Sequence, residues 1–305
     1  VTYYDANTMS QKHPSLHPYL QEMISQRENW TKLQTQKEPF TYRMLAEHAT
    51  TLVSTKTESV PRFLRLVHAV WDWLRLGVFT GSRVAEYAQS RLKKGQRFQC
   101  IPNTPDAGLW AGQPLAFLRA DFQFFDSAHC LVEHSDVFNA HRCGTISTVH
   151  IRFRFDKSPT NFSIRKFALS QDPILNPVDA AVSIFRRANL LRVPLNEPIG
   201  VYNNRPSGPF HFMRDYHIAP VLRTMCIRAY PDPTHYLRIH ITRLVPHSNR
   251  VTAAVCLKLG GAKDEEIAFR LRWHIASVPT YLRECFQDVG QIMTHTPLQG
   301  AFKTS

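Results

Sequence analysis

Three short segments rich in β-branched and aromatic residues, Leu115–Phe125, Thr145–Phe155 and Phe162–Leu169, lie between two stretches patterned as helices. The second and third are separated by the turn-forming run Lys157-Ser-Pro-Thr-Asn161, which predicts an antiparallel hairpin. Upstream, helical patterning covers His17–Leu33, resumes at Thr41, and is strongest over Val60–Leu76, with Pro61 in a first turn where a missing N–H does no harm. Thr80-Gly81 breaks that helix, and a new one is expected near Ser82. Downstream, Pro177–Leu191, Phe210–Tyr230, His247–Leu259, Glu265–Leu271 and Ser277–Val289 read as helices. Helices, a small three-stranded antiparallel sheet, then helices again define an α+β class that is mostly helical.

The chain carries 37 Lys and Arg against 24 Asp and Glu, a formal charge of +13. Such a surplus favours a polyanionic partner, because each phosphate contact releases condensed counterions. A membrane partner fits less well. No run of 18 apolar residues is present and no basic amphipathic segment is faced with bulky aromatics. Six cysteines are scattered without a tight framework, as expected of reduced thiols inside a cell. The N-terminus is Val1 rather than Met and has no secretory pattern, so further residues are expected upstream. Residues 93–112, with Gly, Pro and Asn, read as a loop.

Several constellations could carry chemistry. In His247-Ser-Asn-Arg250 the His and Arg stand three residues apart on one helix face, although such a pair alone is common. Arg83 follows the Thr80-Gly81 break, and Glu86 one turn on can orient its guanidinium; a plain surface ion pair would look the same. Lys157 falls at a hairpin tip, the usual place for a solvated lysine and also a place from which a long amine reaches a neighbouring groove. Arg272-Trp273 ends a short helix, and Tyr281 follows near the start of the next, with Ser277 as cap and Pro279 in the first turn. Cys130, His134, His141 and Cys143 are zinc-type residues, but their spacing fits no common finger.

The order of these residues says more than any one of them. The sequence resembles the tyrosine recombinases in Thr80-Gly-Ser-Arg83, Asp156-Lys-Ser-Pro-Thr-Asn161, His247-Ser-Asn-Arg-Val-Thr-Ala-Ala254, and Arg272-Trp273 with Tyr281. The Trp-to-Tyr spacing, together with Asp72-Trp-Leu-Arg-Leu-Gly-Val-Phe-Thr-Gly81, is most similar to recombinases of eukaryotic mobile elements of the Crypton and DIRS types. The resemblance spans roughly residues 40–290. It divides the chain into residues 1–38 (tail of an N-terminal DNA-clamping domain and linker), 39–290 (catalytic domain) and 291–305 (C-terminal tail). Leu271 departs from the pattern, standing where a glycine often precedes the Arg-Trp pair.

The resemblance implies a catalytic set of Arg83, Lys157, His247, Arg250, Trp273 and Tyr281. Tyr281 would attack the scissile phosphate to give a 3′-phosphotyrosine. Arg83 and Arg250 would clamp its non-bridging oxygens, a task for which a planar guanidinium is better suited than an ammonium. Lys157 would protonate the departing 5′-oxygen, with Lys166 the next candidate. His247 would bond the phosphate and help accept the tyrosine proton, and Trp273 would donate its indole N–H there. No cofactor and no metal is implied, and no Asp/Glu cluster in the sequence suits Mg²⁺. The implied partner is double-stranded DNA, engaged as a homo-tetramer on paired sites, with an intracellular location that is nuclear in a eukaryotic host. Two alternatives share these features: a type IB topoisomerase or telomere resolvase, and a domesticated DNA-binding protein that no longer cuts.

Overall fold

The helix Leu66–Thr80 is enclosed by the rest of the fold from Asp72 onward. The structure, a computed structural model, describes residues 37–53, 61–89, 114–154, 163–205 and 208–282, without the side chains of residues 51–53, 62, 280 and 281. All of these lie in one compact unit that begins at Lys37. The helices in chain order are α1 (Tyr42–Val53), α2 (Leu66–Thr80), α3 (Val84–Tyr87), α4 (Val137–Arg142), α5 (Pro177–Leu190), α6 (Asp215–Ala229), α7 (Tyr236–Ile239), α8 (Ser248–Leu259), α9 (Asp264–Leu271) and α10 (Val278–Leu282). The strands are β1 (Phe122–Asp126), β2 (Leu131–Val132), β3 (Ile146–Phe153), β4 (Ser163–Ala168), β5 (Val201–Tyr202) and β6 (His211–Phe212).

From Asp72 to Thr80 every residue of α2 is buried. α5 and α8 pack along it, and α6 joins them. Trp73 stacks on Tyr87 and Phe117, with ring centroids 5.7 and 5.9 Å away. Phe122 and Phe124 of β1 meet Phe185 of α5 edge-on at 5.5 and 5.0 Å. Such offset and edge geometries suit the ring quadrupole. Three buried charges inside this core, Asp72, Arg75 and Arg187, are paired rather than stranded. Asp72 accepts hydrogen bonds from Arg75 and Arg187, while Arg75 also donates to Asp179 at 2.8 Å. Unpaired, each would cost several kcal/mol.

The expected α+β class holds at this level, and the sheet differs from expectation in extent. It is antiparallel and four-stranded, in the order β2-β1-β3-β4. The extra strand, β2, follows a tight turn in which His129 takes φ 61, and it pairs Leu131 with Phe125. The strand expected over Leu115–Phe125 starts only at Phe122. Asp121 accepts the Leu118 N–H at 2.8 Å and an Arg154 bond at 2.8 Å, which folds Arg119–Asp121 into a 3-10 turn instead.

The helix expected over Phe210–Tyr230 begins at Asp215, because His211–Phe212 pair with Val201–Tyr202 as a separate two-stranded ladder. The helix expected over Val60–Leu76 is a 3-10 turn at Arg62–Leu64 followed by α2, which does end at Thr80. The last expected helix, Ser277–Val289, is described as far as Leu282, after a 3-10 turn at Ile275–Ser277. The expected helix at His17–Leu33, the loop at 93–112, the turn Lys157–Asn161 and the tail 291–305 lie outside the described residues. Among the described residues, no helix is long and apolar enough to cross a membrane.

Two glycines one turn apart bring the second half of the chain against α2. A Cβ on Gly77 would lie 2.0 Å from Asn249 Nδ2, and a Cβ on Gly81 would lie 2.4 Å from Leu271 Cδ2. Gly81 also caps α2 in the left-handed region at φ 56, donating its N–H to Gly77 O. The ends of α8 and α9 therefore sit directly on the Thr80–Arg83 turn. Gly81→Ala is expected to combine left-handed strain with the Leu271 overlap and to cost about 2 kcal/mol, seen as a fall of roughly 5 °C in Tm. Val67→Ala, at an exposed position of α2, is expected to stay within about 0.5 kcal/mol of the parent.

Candidate functional site

Arg83 precedes α3, its N–H donating to Glu86 Oε2 at 2.7 Å. Sequence reasoning paired the Arg83 guanidinium with Glu86, and they do meet, but at 3.4 Å. The close partner of Glu86 is Arg272, whose Nη1 and Nη2 donate to its two carboxylate oxygens at 2.6 and 2.9 Å. Burial pushes the Glu86 carboxyl up. Arg272 outweighs it, with help from Arg83 and Arg250, and holds the group below the ordinary carboxylate range. The Arg272 guanidinium lies 3.7 Å over the ring of Phe153, the last residue of β3.

The turn after α9 joins these elements. Arg272 occupies a left-handed position, φ 57, and the Trp273 N–H reaches back to Ala268 O at 2.8 Å. This is a helix ending usually built on glycine. Two consecutive carbonyls of the turn receive two arginines: Arg250 Nη2 donates to Leu271 O at 3.3 Å, and Arg83 Nη2 donates to Arg272 O at 3.4 Å. The Arg250 guanidinium also sits 5.0 Å from the Trp273 ring. Leu271 fills the space that Gly81 leaves open.

His247 stands at the N-cap of α8, three residues before Arg250. Burial, with the charges of Arg250, Lys37 and Arg83 adding to it, pushes its imidazole down to about 4. It is thus neutral near pH 7, able to accept a proton or a hydrogen bond. The preceding Pro246 carbonyl accepts from Tyr87 Oη at 3.5 Å, tying the start of α8 to α3.

Of the six residues singled out in the sequence, the structure brings Arg83, His247, Arg250 and Trp273 into one neighbourhood. Tyr281 has its backbone in α10, which packs on α8, but its side chain lies outside the described residues. Lys157 lies outside them altogether; Phe153, the last residue of β3, is in the site through Arg272. Lys166 is described: it is exposed, opposite His150 in the sheet.

The zinc-type residues do not converge. His134 bonds the Phe122 carbonyl at 2.8 Å, His141 bonds Asp179 at 3.1 Å, and Cys130 and Cys143 are exposed. Among the described residues, no group of three or more His, Cys, Asp or Glu could hold a metal ion.

Gly77, Asn249 and the Glu86–Arg272 pair escaped sequence reasoning. The Gly77-Val-Phe-Thr-Gly81 spacing was the available signal for the first two; nothing in the local sequence links residues 86 and 272. No family model matches the chain, and no curated protein matches it.

The His247 titration is directly measurable. Its ring nitrogens should keep the neutral NMR pattern from pH 8 to about 5, with a midpoint near 4. A midpoint near 6.5 would mean that the ring is neither buried nor crowded by arginines. Because its folded value lies below 6.5, its contribution to stability is complete above that pH and is lost as pH falls towards 4.

Proposed function

We propose that this chain is a DNA strand transferase of the tyrosine recombinase type, cutting and rejoining double-stranded DNA through a 3′-phosphotyrosine. One observation carries the reading. Arg83 and Arg250, from opposite ends of the described chain, converge on consecutive carbonyls beside a neutral His247 and an indole. Two fixed guanidiniums are the equipment for a tetrahedral phosphate and for the extra charge of its pentacovalent transition state. The surplus of +13 supports a polyanionic substrate. The finer assignment within the α+β class, a recombinase catalytic domain, rests on the ordered motifs.

In this mechanism the Tyr281 oxygen bonds to phosphorus as the bond to the 5′-oxygen breaks. The tyrosine proton passes towards His247, and the 5′-oxygen takes a proton from Lys157. The ester keeps the bond energy, so attack by a 5′-hydroxyl rejoins the strand without ATP. Integration or excision of a mobile element by a tetramer on paired sites, in the nucleus of a eukaryotic host, is the setting this chemistry suits.

A suicide substrate that loses its 5′-hydroxyl fragment tests the reading. The parent chain should accumulate a covalent protein–DNA product, and Tyr281→Phe should fold, bind DNA and form none, because phenylalanine offers no atom that attacks phosphorus. A product that persists in Tyr281→Phe places the nucleophile elsewhere; a parent chain that forms none removes strand transfer. Lys157→Ala should lose cleavage of ordinary DNA and regain it when the bridging 5′-oxygen is sulfur, since a thiolate leaves without a proton. Absence of rescue would move the acid to another residue, Lys166 first.

A further inference from the structure

The short ladder β5–β6 and the start of α6 together set four rings in a row. Tyr202 pairs with His211 across the ladder, their ring centroids 5.6 Å apart. On its other side Tyr202 meets His217 of α6 edge-on at 5.4 Å, and His217 meets Tyr216 at 4.3 Å. The middle of the row is anchored in the core, with Tyr202 only 8% exposed. Its two ends are open: Tyr216 is 65% exposed, and His211 is exposed as well. A single surface tyrosine needs no explanation, but core packing does not account for rings that continue outward in contact with one another.

The row is held in place. Met213, the residue after β6, donates its N–H to Gly200 O at 2.7 Å and accepts the Gln89 N–H at 2.7 Å. A Cβ on Gly200 would lie 2.0 Å from Tyr87 O, so the ladder is pressed directly on the end of α3. The Arg214 N–H donates to His217 Nδ1 at 3.1 Å, which fixes that ring. Burial, with Arg214 and His211 adding to it and Asp215 opposing, keeps the His217 imidazole below its ordinary range and therefore neutral near pH 7.

Positive charge lies beside the rings. Arg214, at the end of the row, and Arg205, in the loop that leaves β5, are both exposed. The carboxylate among them is Asp215, which accepts the Tyr216 N–H at 2.8 Å. Flat apolar faces next to guanidiniums suit a ligand that combines planar rings with phosphates. In a duplex the base faces are covered by their neighbours, and only edges and phosphates can be reached. Unpaired bases offer both faces to an aromatic side chain.

We infer that this platform binds single-stranded nucleic acid, with unpaired bases stacking on Tyr216 and His211 and Arg214 and Arg205 meeting the phosphates. The inference goes beyond the strand-transfer reading and does not depend on it, since it uses none of the residues assigned to that chemistry.

The probe is a fluorescently labelled oligodeoxythymidine of about ten nucleotides, followed by anisotropy with the intact chain. Tyr216→Ala should weaken its binding about tenfold, and Tyr216→Trp should hold it within about twofold, because stacking needs the ring and not the hydroxyl. Arg214→Gln should weaken it about threefold and flatten its salt dependence. A duplex of the same length should bind Tyr216→Ala as it binds the parent. In the parent, an oligonucleotide carrying 5-iododeoxyuridine should photocrosslink within residues 211–216.

The proposal is overturned if the parent does not bind the oligonucleotide, as it would not if the platform served a peptide. It is equally overturned if Tyr216→Ala binds like the parent, or loses single strand and duplex alike. Should Tyr216→Ala not fold, the crosslink in the parent decides alone, and a crosslink elsewhere sinks the idea. A chain that binds the oligonucleotide through Tyr216 yet forms no covalent DNA product loses strand transfer and keeps the platform; one that forms the product but fails these tests does the reverse.

Discussion

The close approach of α8 and α9 to α2 is the constraint on which the remaining geometry turns. Helix axes pack 8–10 Å apart according to the side chains between them, and residues without side chains permit the near end of that range. Gly77 admits the Asn249 amide and Gly81 admits the Leu271 side chain. Asn249 then donates to the Ser82 carbonyl at 3.4 Å, so α8 is registered against the residue before Arg83. From that contact the positions of His247 and Arg250 follow by helix geometry, and those of Arg272 and Trp273 follow from the Leu271 contact. Larger residues at positions 77 and 81 would separate the arginines before any of their own bonds was altered.

Upon that steric arrangement rests an electrostatic one. Burying Glu86 is costly, and the cost is offset only because both its oxygens are occupied by charged or backbone donors. The bidentate bond in turn holds Arg272 in a left-handed conformation that disfavours any residue with a Cβ. Neither half is stable without the other. Arg272 without Glu86 would leave a fully buried guanidinium beside Phe153, and Glu86 without Arg272 would lose its bidentate partner. A pair of this kind contributes little net stability compared with an apolar core. What it supplies is a fixed turn, with two carbonyls aimed at two arginines.

The legibility of this arrangement in the sequence depended on the range of the signal. Where a local pattern decides an element, sequence reading located it closely: Pro177–Leu190 is capped by Asn176, whose side chain accepts two backbone N–H groups, and α2 ends at Gly81 as the Thr-Gly break suggested. Where a distant partner decides, it misplaced it. The start of β1 is set by Arg154 reaching Asp121, and the start of α6 by pairing of His211–Phe212 with Val201–Tyr202. The site divides in the same way. His247 and Arg250 share a helix, so their proximity could be read from spacing. Glu86 was assigned to Arg83 because that is the neighbour within one turn, and the stronger partner came from a residue that no periodicity connects to it.

The same division bears on what the charge of this protein means. Several of its arginines serve the fold: Arg75 and Arg187 are held by Asp72, Arg154 by Asp121, Arg243 by Glu38, and Arg272 by Glu86. Charge spent in such pairs is not available to a partner, so the net +13 overstates what the surface offers. A basic composition alone is a diffuse attraction for polyanions, screened over about 10 Å at moderate salt. It becomes a site only where the fold holds uncancelled guanidiniums at fixed separation. Around Glu86, one carboxylate faces Arg272, Arg83 and Arg250, and Arg272 holds both of its oxygens. The Arg250 and Arg83 guanidiniums are oriented by the Leu271 and Arg272 carbonyls.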